Sequence, residues 1–346
     1  MSEMTVHERP GVYSSYDASA VVSGSGGSAT VGLAAISTGG EENTLYKWSR
    51  YEEAAQVFGE SDPLTALVRL LFRNGAGAVY AVPVRNQEGY EAAFALLAAE
   101  EGISIVTCDS TEASVHQALR ESVNEASQAR RERIAVVEGA SGENAQALAE
   151  RAQALNAERM VLVGPTAVGE QSGLLAAAVA GAIAKESDPA VPLGGATLSG
   201  LSGLSQKYGD SEIDVLVKGG VTPVEEVGGV VSVVRGITTR TKTGEAGDTT
   251  WRELTTIRIV DDVIPTVRNA LRSRFRRAKN TEQSRGAIRS QVVLELENKL
   301  SREIITGYGE VTAQADAENP TVCVVEFSFT VAHGLNQIWL SAHITV

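Results

Sequence analysis

The first half of the chain alternates between two patterns of apolar positions. Short apolar runs occupy residues 29–36, 79–84, 103–108, 134–137 and 160–163, and their length and β-branched content predict buried strands. Between these runs, apolar residues recur every three or four positions, which indicates amphipathic helices. Strand and helix therefore alternate at the spacing of βαβ units, and this predicts a mainly parallel sheet covered by helices.

The strongest helix signal follows the first of these strands, at residues 63–74. Asp62 is placed to cap the helix, Pro63 suits its first position and Gly75 ends it. Its apolar face consists of Leu64, Leu67, Val68 and Leu71. The same spacing predicts further helices at Tyr90, Phe94 and Leu97, at Val115, Leu119 and Val123, at Ala145, Leu148, Ala152 and Leu155, and at Ala176–Ala184.

The composition changes after the last of these helices, because residues 188–209 are rich in Gly, Ser, Pro and Leu. We place a domain boundary near this point, which gives an α/β domain at 29–190 and an α+β domain at 191–336. In the second domain, the β-prone segments 221–240 and 249–260 flank a Gly-containing turn. This arrangement predicts an antiparallel hairpin.

Two helices and a set of strands complete the second domain. A basic helix is predicted at 264–278 and closing strands at 322–331 and 337–346. The longer helix between them has an apolar residue at every fourth position: Ile288, Val292, Leu296, Leu300 and Ile304. The predicted fold class is α/β plus α+β, in which a helix-covered, mainly parallel sheet is followed by antiparallel strands and two helices.

Both ends of the chain are predicted to be extended arms, residues 1–28 and residues 337–346. The first contains a flexible Gly-Ser tract at 23–28 and a β-prone segment at Val12–Val22, and the second alternates apolar with mixed positions. The pattern leaves open whether such an arm is a frayed terminus or adds a strand to another subunit's sheet.

Composition and charge narrow the class of protein. The chain has 346 residues, of which 43% are apolar and 21% charged, so most of it is expected to fold, in two domains. A net charge of -13 argues against general nucleic-acid binding. The sequence contains no apolar run long enough for a membrane span and no signal-peptide core near residue 1, so we expect synthesis in the cytoplasm. Cys108 and Cys323 lie in strand-like runs and are expected to be buried thiols.

Signatures of catalysis and of cofactor binding do not occur in the sequence. It contains no phosphate-binding loop, nucleophile elbow, Cys-x-x-Cys or His-Glu-x-x-His. The four histidines, His7, His116, His333 and His343, fall in unrelated elements, so no metal or cofactor is expected. The best acidic pair, Asp261-Asp262, is expected at a strand end, where it would cap the basic helix that follows.

The basic helix has the sharpest local charge contrast. It contains six cations and no anion between Pro265 and Lys279: Arg268, Arg272, Arg274, Arg276, Arg277 and Lys279. Arg268, Arg272 and Arg276 fall on one stripe beside the apolar positions. Such a stripe is either a solvated face or a surface that docks on an acidic partner.

The order of segments resembles that of the contractile tail sheath family over nearly the whole chain. The resemblance rests on the following stretches: Glu8-Arg9-Pro10-Gly11-Val12-Tyr13, Ala29–Ala35, Gly77–Val84, Gly219-Gly220-Val221-Thr222-Pro223, Gly228–Arg240, Ile259-Val260-Asp261-Asp262, Asn319-Pro320 and Ile338–Ile344. The N-terminal α/β domain is expected on the outside of such an assembly.

The resemblance implies a mechanical subunit and not an enzyme. Subunits would polymerise helically around an inner tail tube protein and contract from a metastable extended state, with baseplate and tail terminator proteins as further partners, in a phage tail or a phage-tail-like particle. It implies strand exchange between subunits through Val12, Tyr13, Tyr16, Val21, Val22, Ile338, Trp339, Leu340 and Ile344. It also implies that the inner tube faces Arg268, Arg272, Arg276, Arg277 and Lys279. The alternative is a nucleotide- or sugar-binding α/β enzyme with a ligand at its strand ends.

Overall fold

The computed structural model of the protein describes residues 29–169 and 171–336. The predicted arms at 1–28 and 337–346 lie outside the described residues.

A sheet of nine strands forms the centre of the described part of the chain. Its strands are β1 Thr30–Ile36, β2 Tyr46–Trp48, β3 Ala78–Val84, β4 Ile103–Cys108, β5 Ile134–Glu138, β6 Met160–Gly164, β7 Thr197–Leu198, β8 Val221–Val227 and β9 Val230–Val233. The order across the sheet is β2-β3-β1-β4-β5-β6-β8-β9-β7. The six strands from β3 to β8 are parallel, whereas β2, β9 and β7 are antiparallel to their neighbours. The predicted mainly parallel sheet is confirmed.

Helices cover both faces of the sheet. They are α1 Tyr51–Phe58, α2 Pro63–Asn74, α3 Tyr90–Ala99, α4 Ala113–Gln128, α5 Ala145–Leu155, α6 Leu174–Lys185 and α7 Asp210–Gly219. Side chains of β1 alternate between the two faces: Val31 and Leu33 pack in the core under α1, α2 and α6, and Ala34 packs in the core under α3, α4, α5 and α7. Because both faces are covered, the inner strands of the sheet are mostly apolar, as in β1 and β6.

Helix α2 has the caps that the sequence predicts. The Oδ1 atom of Asp62 accepts a hydrogen bond from the Leu64 N–H at 3.0 Å, and Gly75 ends the helix with φ +115°. At its far end α2 lies against α6, where Gly181 allows a close approach. A Cβ atom added to Gly181 would lie 2.7 Å from the Leu71 carbonyl oxygen, so a larger residue would push the two helices apart.

The predicted strand at 249–260 is wrong, since most of that segment belongs to a helix. Helix α8 spans Leu254–Phe275 and therefore begins ten residues before the predicted basic helix. Thr255, Thr256 and Ile257 are β-branched and raise strand propensity, but tertiary packing overrides such a preference. The hairpin of this region is instead formed by β8 and β9, and Gly228 and Gly229 turn it with φ +60° and +80°.

A second unit follows the sheet. It contains the later part of α8, helix α9 Glu282–Ser301, and the strands β12 Ile305–Tyr308, β13 Thr312–Ala315, β14 Cys323–Glu326 and β15 Phe329–Val331, after a small ribbon of β10 Lys242–Thr243 and β11 Ala246–Gly247. Strands β12 and β15 form one antiparallel pair, and β13 and β14 form another. The predicted apolar residue at every fourth position of α9 is confirmed at Val292 and Leu296, which are fully buried. Ile304 is buried just before β12.

Helix α8 belongs to two hydrophobic cores. Leu254, Ile257 and Val260 pack into the core of the sheet, whereas Ile259 and Val263 pack with α9 and the strand pairs. The sheet also continues past residue 190 through β7, β8 and β9. The limits 29–190 and 191–336 remain a prediction.

The buried histidine His116 lies in α4, on the face of the sheet into which Ala34 packs. The side chain of His116 is fully buried in the first turns of α4, and its Nε2 lies 2.8 Å from the Ser110 carbonyl oxygen. Burial lowers the pKa of His116 to about 4; the Ser110 contact opposes this shift, and the Arg151 charge adds to it. The neutral ring donates from Nε2, and its Nδ1 is buried without a hydrogen-bond partner.

Because His116 is neutral in the folded protein, we expect the stability of the protein to decrease at acid pH. Below pH 6.5 the unfolded chain binds a proton at His116 and the folded chain does not, so the free energy of unfolding falls as pH drops from 6.5 to about 4. The loss is expected to reach about 3 kcal/mol, at roughly 1.4 kcal/mol per pKa unit. In urea titrations between pH 7 and 4.5, His116→Gln should remove that part of the slope. His333→Gln, at an exposed site, serves as the control. An unchanged slope in His116→Gln would contradict the assignment.

Candidate functional site

Ligands of parallel α/β proteins bind at the carboxyl ends of the strands. In this protein, buried carboxylates at these ends accept hydrogen bonds from other groups of the same chain. Asp109 follows β4; its Oδ2 accepts a hydrogen bond from the Ile36 N–H at 2.9 Å, and its Oδ1 accepts one from the Tyr90 hydroxyl. Burial raises the pKa of Asp109, and the bonds from Tyr90 and Ile36 act in the opposite direction. Both carboxylate oxygens therefore serve the fold.

Glu138, at the end of β5, has a similar structural role. Its Oε1 accepts from the Gly173 N–H at 2.5 Å, and its Oε2 accepts from the N–H groups of Leu175 at 2.9 Å and Ala176 at 3.2 Å. These are backbone donors at the N-terminus of α6, so Glu138 caps that helix. Within residues 29–169 and 171–336, no group of three or more His, Cys, Asp or Glu residues could hold a metal ion. None of the helices described there has the length and apolar content of a membrane span.

The opposite end of the sheet binds α8 through a buried ion pair. The Arg159 guanidinium, in the loop before β6, makes a two-point contact with Asp261: Nη1 lies 2.6 Å from Oδ2 and Nη2 lies 2.8 Å from Oδ1. Nη1 also donates to the Arg133 carbonyl oxygen at 3.1 Å. Burial raises the pKa of Asp261 and the Arg159 charge lowers it. The pair joins α8, two turns from its start, to the amino end of the inner strand β6.

The expected role of Asp261 and Asp262 as helix caps is therefore wrong. Glu253 occupies the N-cap position of α8, and both aspartates lie two turns inside the helix. They point to different partners: Asp261 binds Arg159, and the Asp262 Oδ2 lies 2.5 Å from the Lys299 Nζ of α9. One carboxylate thus joins α8 to the sheet and the other joins it to the second unit.

The predicted arginine stripe is divided by the structure. Arg268 is buried, and its Nη2 lies 2.6 Å from the Glu132 Oε1 in the loop before β5. Arg272 and Arg276 are exposed. The prediction of one continuous exposed stripe is therefore wrong at Arg268, because α8 turns that face toward the sheet.

The exposed cations gather where α8 ends. We call Arg272, Arg276, Arg277 and Lys279 the basic end, and all four are exposed. Cations are favourable there because the carboxyl terminus of a helix carries a partial negative charge. The segment 251–346 contains 12 of the 30 Lys and Arg residues and only 11 of the 43 Asp and Glu residues. The acidic surplus of the protein therefore lies in residues 1–250.

The predicted strand-exchange residues lie outside the described residues, but the structure shows sheets that an added strand would extend. The pairs β12-β15 and β13-β14 contain two strands each among residues 29–336. Two-stranded sheets are only marginally stable by themselves and gain from additional strands.

Glu132 and Arg159, the partners of α8 on the sheet, are not among the residues predicted from the sequence. Asp261 and Arg268 lie seven residues apart, so a helix places them on one face, two turns from each other. This signal was hidden because residues 249–260 were assigned to a strand. Which loop residues would meet that face depends on the packing of distant segments.

Two family models match consecutive parts of the chain. The model described as "Phage tail sheath protein central domain" matches residues 84–239, and the one described as "Phage tail sheath C-terminal domain" matches residues 246–345. A curated tail sheath protein of Bacillus phage SP01 is 29% identical over 253 residues, which is 70% of this chain and 43% of that protein. The match thus spans less than half the length of this relative.

Solved structures agree with the fold. The helical sheath of the anti-feeding prophage in its contracted state has a TM-score of 0.73 at 15% identity, with 98% of this chain and 99% of that chain covered. A sheath tail protein from Listeria innocua has a TM-score of 0.72 at 12% identity, with coverage of 91% and 94%. At these identities the likeness concerns the fold, and the family assignment rests on the two sequence models, which together match most of the chain. The chain belongs to the phage tail sheath family.

Proposed function

We propose that this protein is the sheath subunit of a contractile phage tail or phage-tail-like particle, and that it acts mechanically and not as an enzyme. The observation that carries the proposal is the match of two sheath domain models, in order, to residues 84–345. The subunit would be made in the bacterial cytoplasm and would polymerise helically around an inner tail tube, between baseplate and terminator proteins. It would contract from a metastable extended lattice, since a lattice with better-satisfied subunit contacts lies lower in free energy.

The proposal predicts that the purified protein forms tubes. Negative-stain electron microscopy over a range of protein and salt concentrations, with and without the matching inner tube protein, should show regular helical tubes. Discrete small oligomers under every condition would contradict the proposal. Nucleotides and sugars would then be screened for thermal stabilisation, because the enzyme hypothesis would gain support.

The terminal arms are proposed to connect the subunits of this polymer. The residues concerned are Val12, Tyr13, Tyr16, Val21, Val22, Ile338, Trp339, Leu340 and Ile344. Support comes from their β-prone sequence and from the two-stranded pairs β12-β15 and β13-β14. An arm from a neighbour that joins such a pair gains backbone hydrogen bonds along its length.

Deletion of residues 1–20 should therefore abolish polymers and leave a folded monomer. The nine strands of the sheet lie between Thr30 and Val233, so the circular dichroism spectrum should keep its native shape. Sedimentation measures the polymer fraction of this variant beside that of the full chain. Polymers at the level of the full chain would exclude a connecting role for the N-terminal arm.

The basic end is proposed to face the inner tube in the extended state. Arg272, Arg276, Arg277 and Lys279 are exposed in a part of the chain without the general acidic surplus. An acidic tube surface would be attracted to this end, whereas the rest of the subunit would be repelled. Arg268 is left out of this contact because it is buried against Glu132.

Charge reversal at the basic end should weaken assembly on tubes. The triple variant Arg272→Glu, Arg276→Glu and Arg277→Glu should co-sediment with inner tubes several-fold less than the unaltered protein. Binding of the unaltered protein should itself fall as salt rises, because exposed charges are screened. The control is the double variant Lys207→Glu with Lys218→Glu. Both lysines are exposed, and they lie just before and within α7, which covers the sheet. Equal loss in the control and the triple variant would show a non-specific charge effect and would contradict the proposed contact.

A further inference from the structure

Two ion pairs of opposite polarity hold α8 to the sheet. At one point the sheet supplies the cation, Arg159, and the helix supplies the anion, Asp261. At the other point the sheet supplies the anion, Glu132, and the helix supplies the cation, Arg268. We call these four residues the charge clamp.

The spacing of the clamp follows from the geometry of both elements. Asp261 and Arg268 are seven residues apart on one face of α8, which separates them by about 10 Å along the helix axis at 1.5 Å per residue. Glu132 and Arg159 precede β5 and β6, which are parallel neighbours, so their loops lie at the same end of the sheet. The helix therefore crosses two adjacent loops and meets one charge in each.

The clamp is shielded from solvent. The exposed fractions of the side chains are 2% for Arg159, 8% for Arg268, 13% for Glu132 and 16% for Asp261. Buried charges interact strongly and are costly when they lose their partner, whereas most surface pairs contribute little. A wrong pairing in this position is consequently disfavoured much more than a wrong pairing at the surface.

The apolar residues of α8 recur at regular intervals along the helix. Leu254, Ile257 and Val260 are spaced by three residues, and Ile259, Val263 and Val267 by four. Repeats of this kind present similar ridges after a shift of one helical turn. Ionic groups, in contrast, distinguish one register and one direction, as polar residues do in coiled coils.

We propose that the charge clamp fixes the register and direction of α8 on the sheet, and with it the position of the basic end. A shift by one turn removes both charges of α8 from their partners. A reversed helix brings Asp261 toward Glu132 and Arg268 toward Arg159, which places like charges together. These four are positioning residues. Only their importance for a tube contact rests on the proposed function, because the position of α8 is a property of the single subunit.

The test measures a distance within the unpolymerised subunit. Spin labels are attached at Ser141 and Ala278, two exposed residues, each changed to Cys in a full-length chain that carries Cys323→Ser. The chain is diluted until sedimentation shows monomers alone. The unaltered clamp should give one narrow distance distribution. Neutralising it with Glu132→Gln, Arg159→Gln, Asp261→Asn and Arg268→Gln should broaden the distribution or shift it by about 5 Å, the rise of one helical turn.

Two further variants keep the proposal testable if the neutral one does not fold. Helix-only reversal, Asp261→Arg with Arg268→Glu, should disrupt the native distance, and addition of Arg159→Glu and Glu132→Arg should restore it. The control is Asp214→Asn with Lys218→Gln, a pair whose side chains are 71% and 73% exposed, and it should leave the distance unchanged.

A narrow distance distribution at the native value in the neutral variant would overturn the proposal, because apolar packing alone would then fix the position of α8. The proposal would also be overturned if the variant with all four charges reversed gave a distance no closer to the native value than the helix-only reversal gives. Neither result depends on tube formation. A protein that fails to form tubes in the microscope contradicts the sheath proposal and leaves the clamp to be decided by these distances.

Discussion

The structure depends on one helix that belongs to two hydrophobic cores. Helix α8 has 22 residues, about 33 Å of length, and it buries its first turns in the sheet and later turns against α9. Removal of α8 from either core would expose apolar surface on both units. Its interior carries paired charges on two sides, Asp261 toward Arg159 and Asp262 toward Lys299. The orientation of the second unit relative to the sheet is thus set by contacts along a single rigid element.

Acidic and basic residues are concentrated in different parts of the protein. The acidic surplus lies in residues 1–250, and the exposed cations of the basic end lie at the far end of α8. At the carboxyl ends of the strands, Asp109 and Glu138 bind backbone groups of the protein itself. The polar groups at the usual ligand position therefore stabilise the fold. In the proposed sheath, the subunit would place its basic end on an acidic tube and its acidic sheet unit away from it.

Local patterns in the sequence were enough to predict the parallel strands β1, β3, β4, β5 and β6 and the helices α2 to α6. The caps of α2 and the apolar strands obey rules that act over a few residues, and the structure has these elements at the predicted places. The prediction of a strand at 249–260 was wrong because β-branched residues favour strands locally, whereas the core around Leu254 and Ile257 stabilises a helix. Arg268 was expected on an exposed stripe for a separate reason. Its partner Glu132 is 136 residues away in the chain, and short-range patterns contain no information about such a contact.

In the proposed sheath, α8 would hold the basic end on the inner side and the sheet on the outer side. This arrangement can be tested by a cryo-electron microscopy reconstruction of the protein assembled on its inner tube, at a resolution that traces helices. Density for the end of α8, at Arg272, Arg276 and Arg277, is expected to contact the tube, and the nine-stranded sheet is expected to lie outside it. A reconstruction in which the sheet lines the tube, with the end of α8 on the outer surface, would exclude this arrangement.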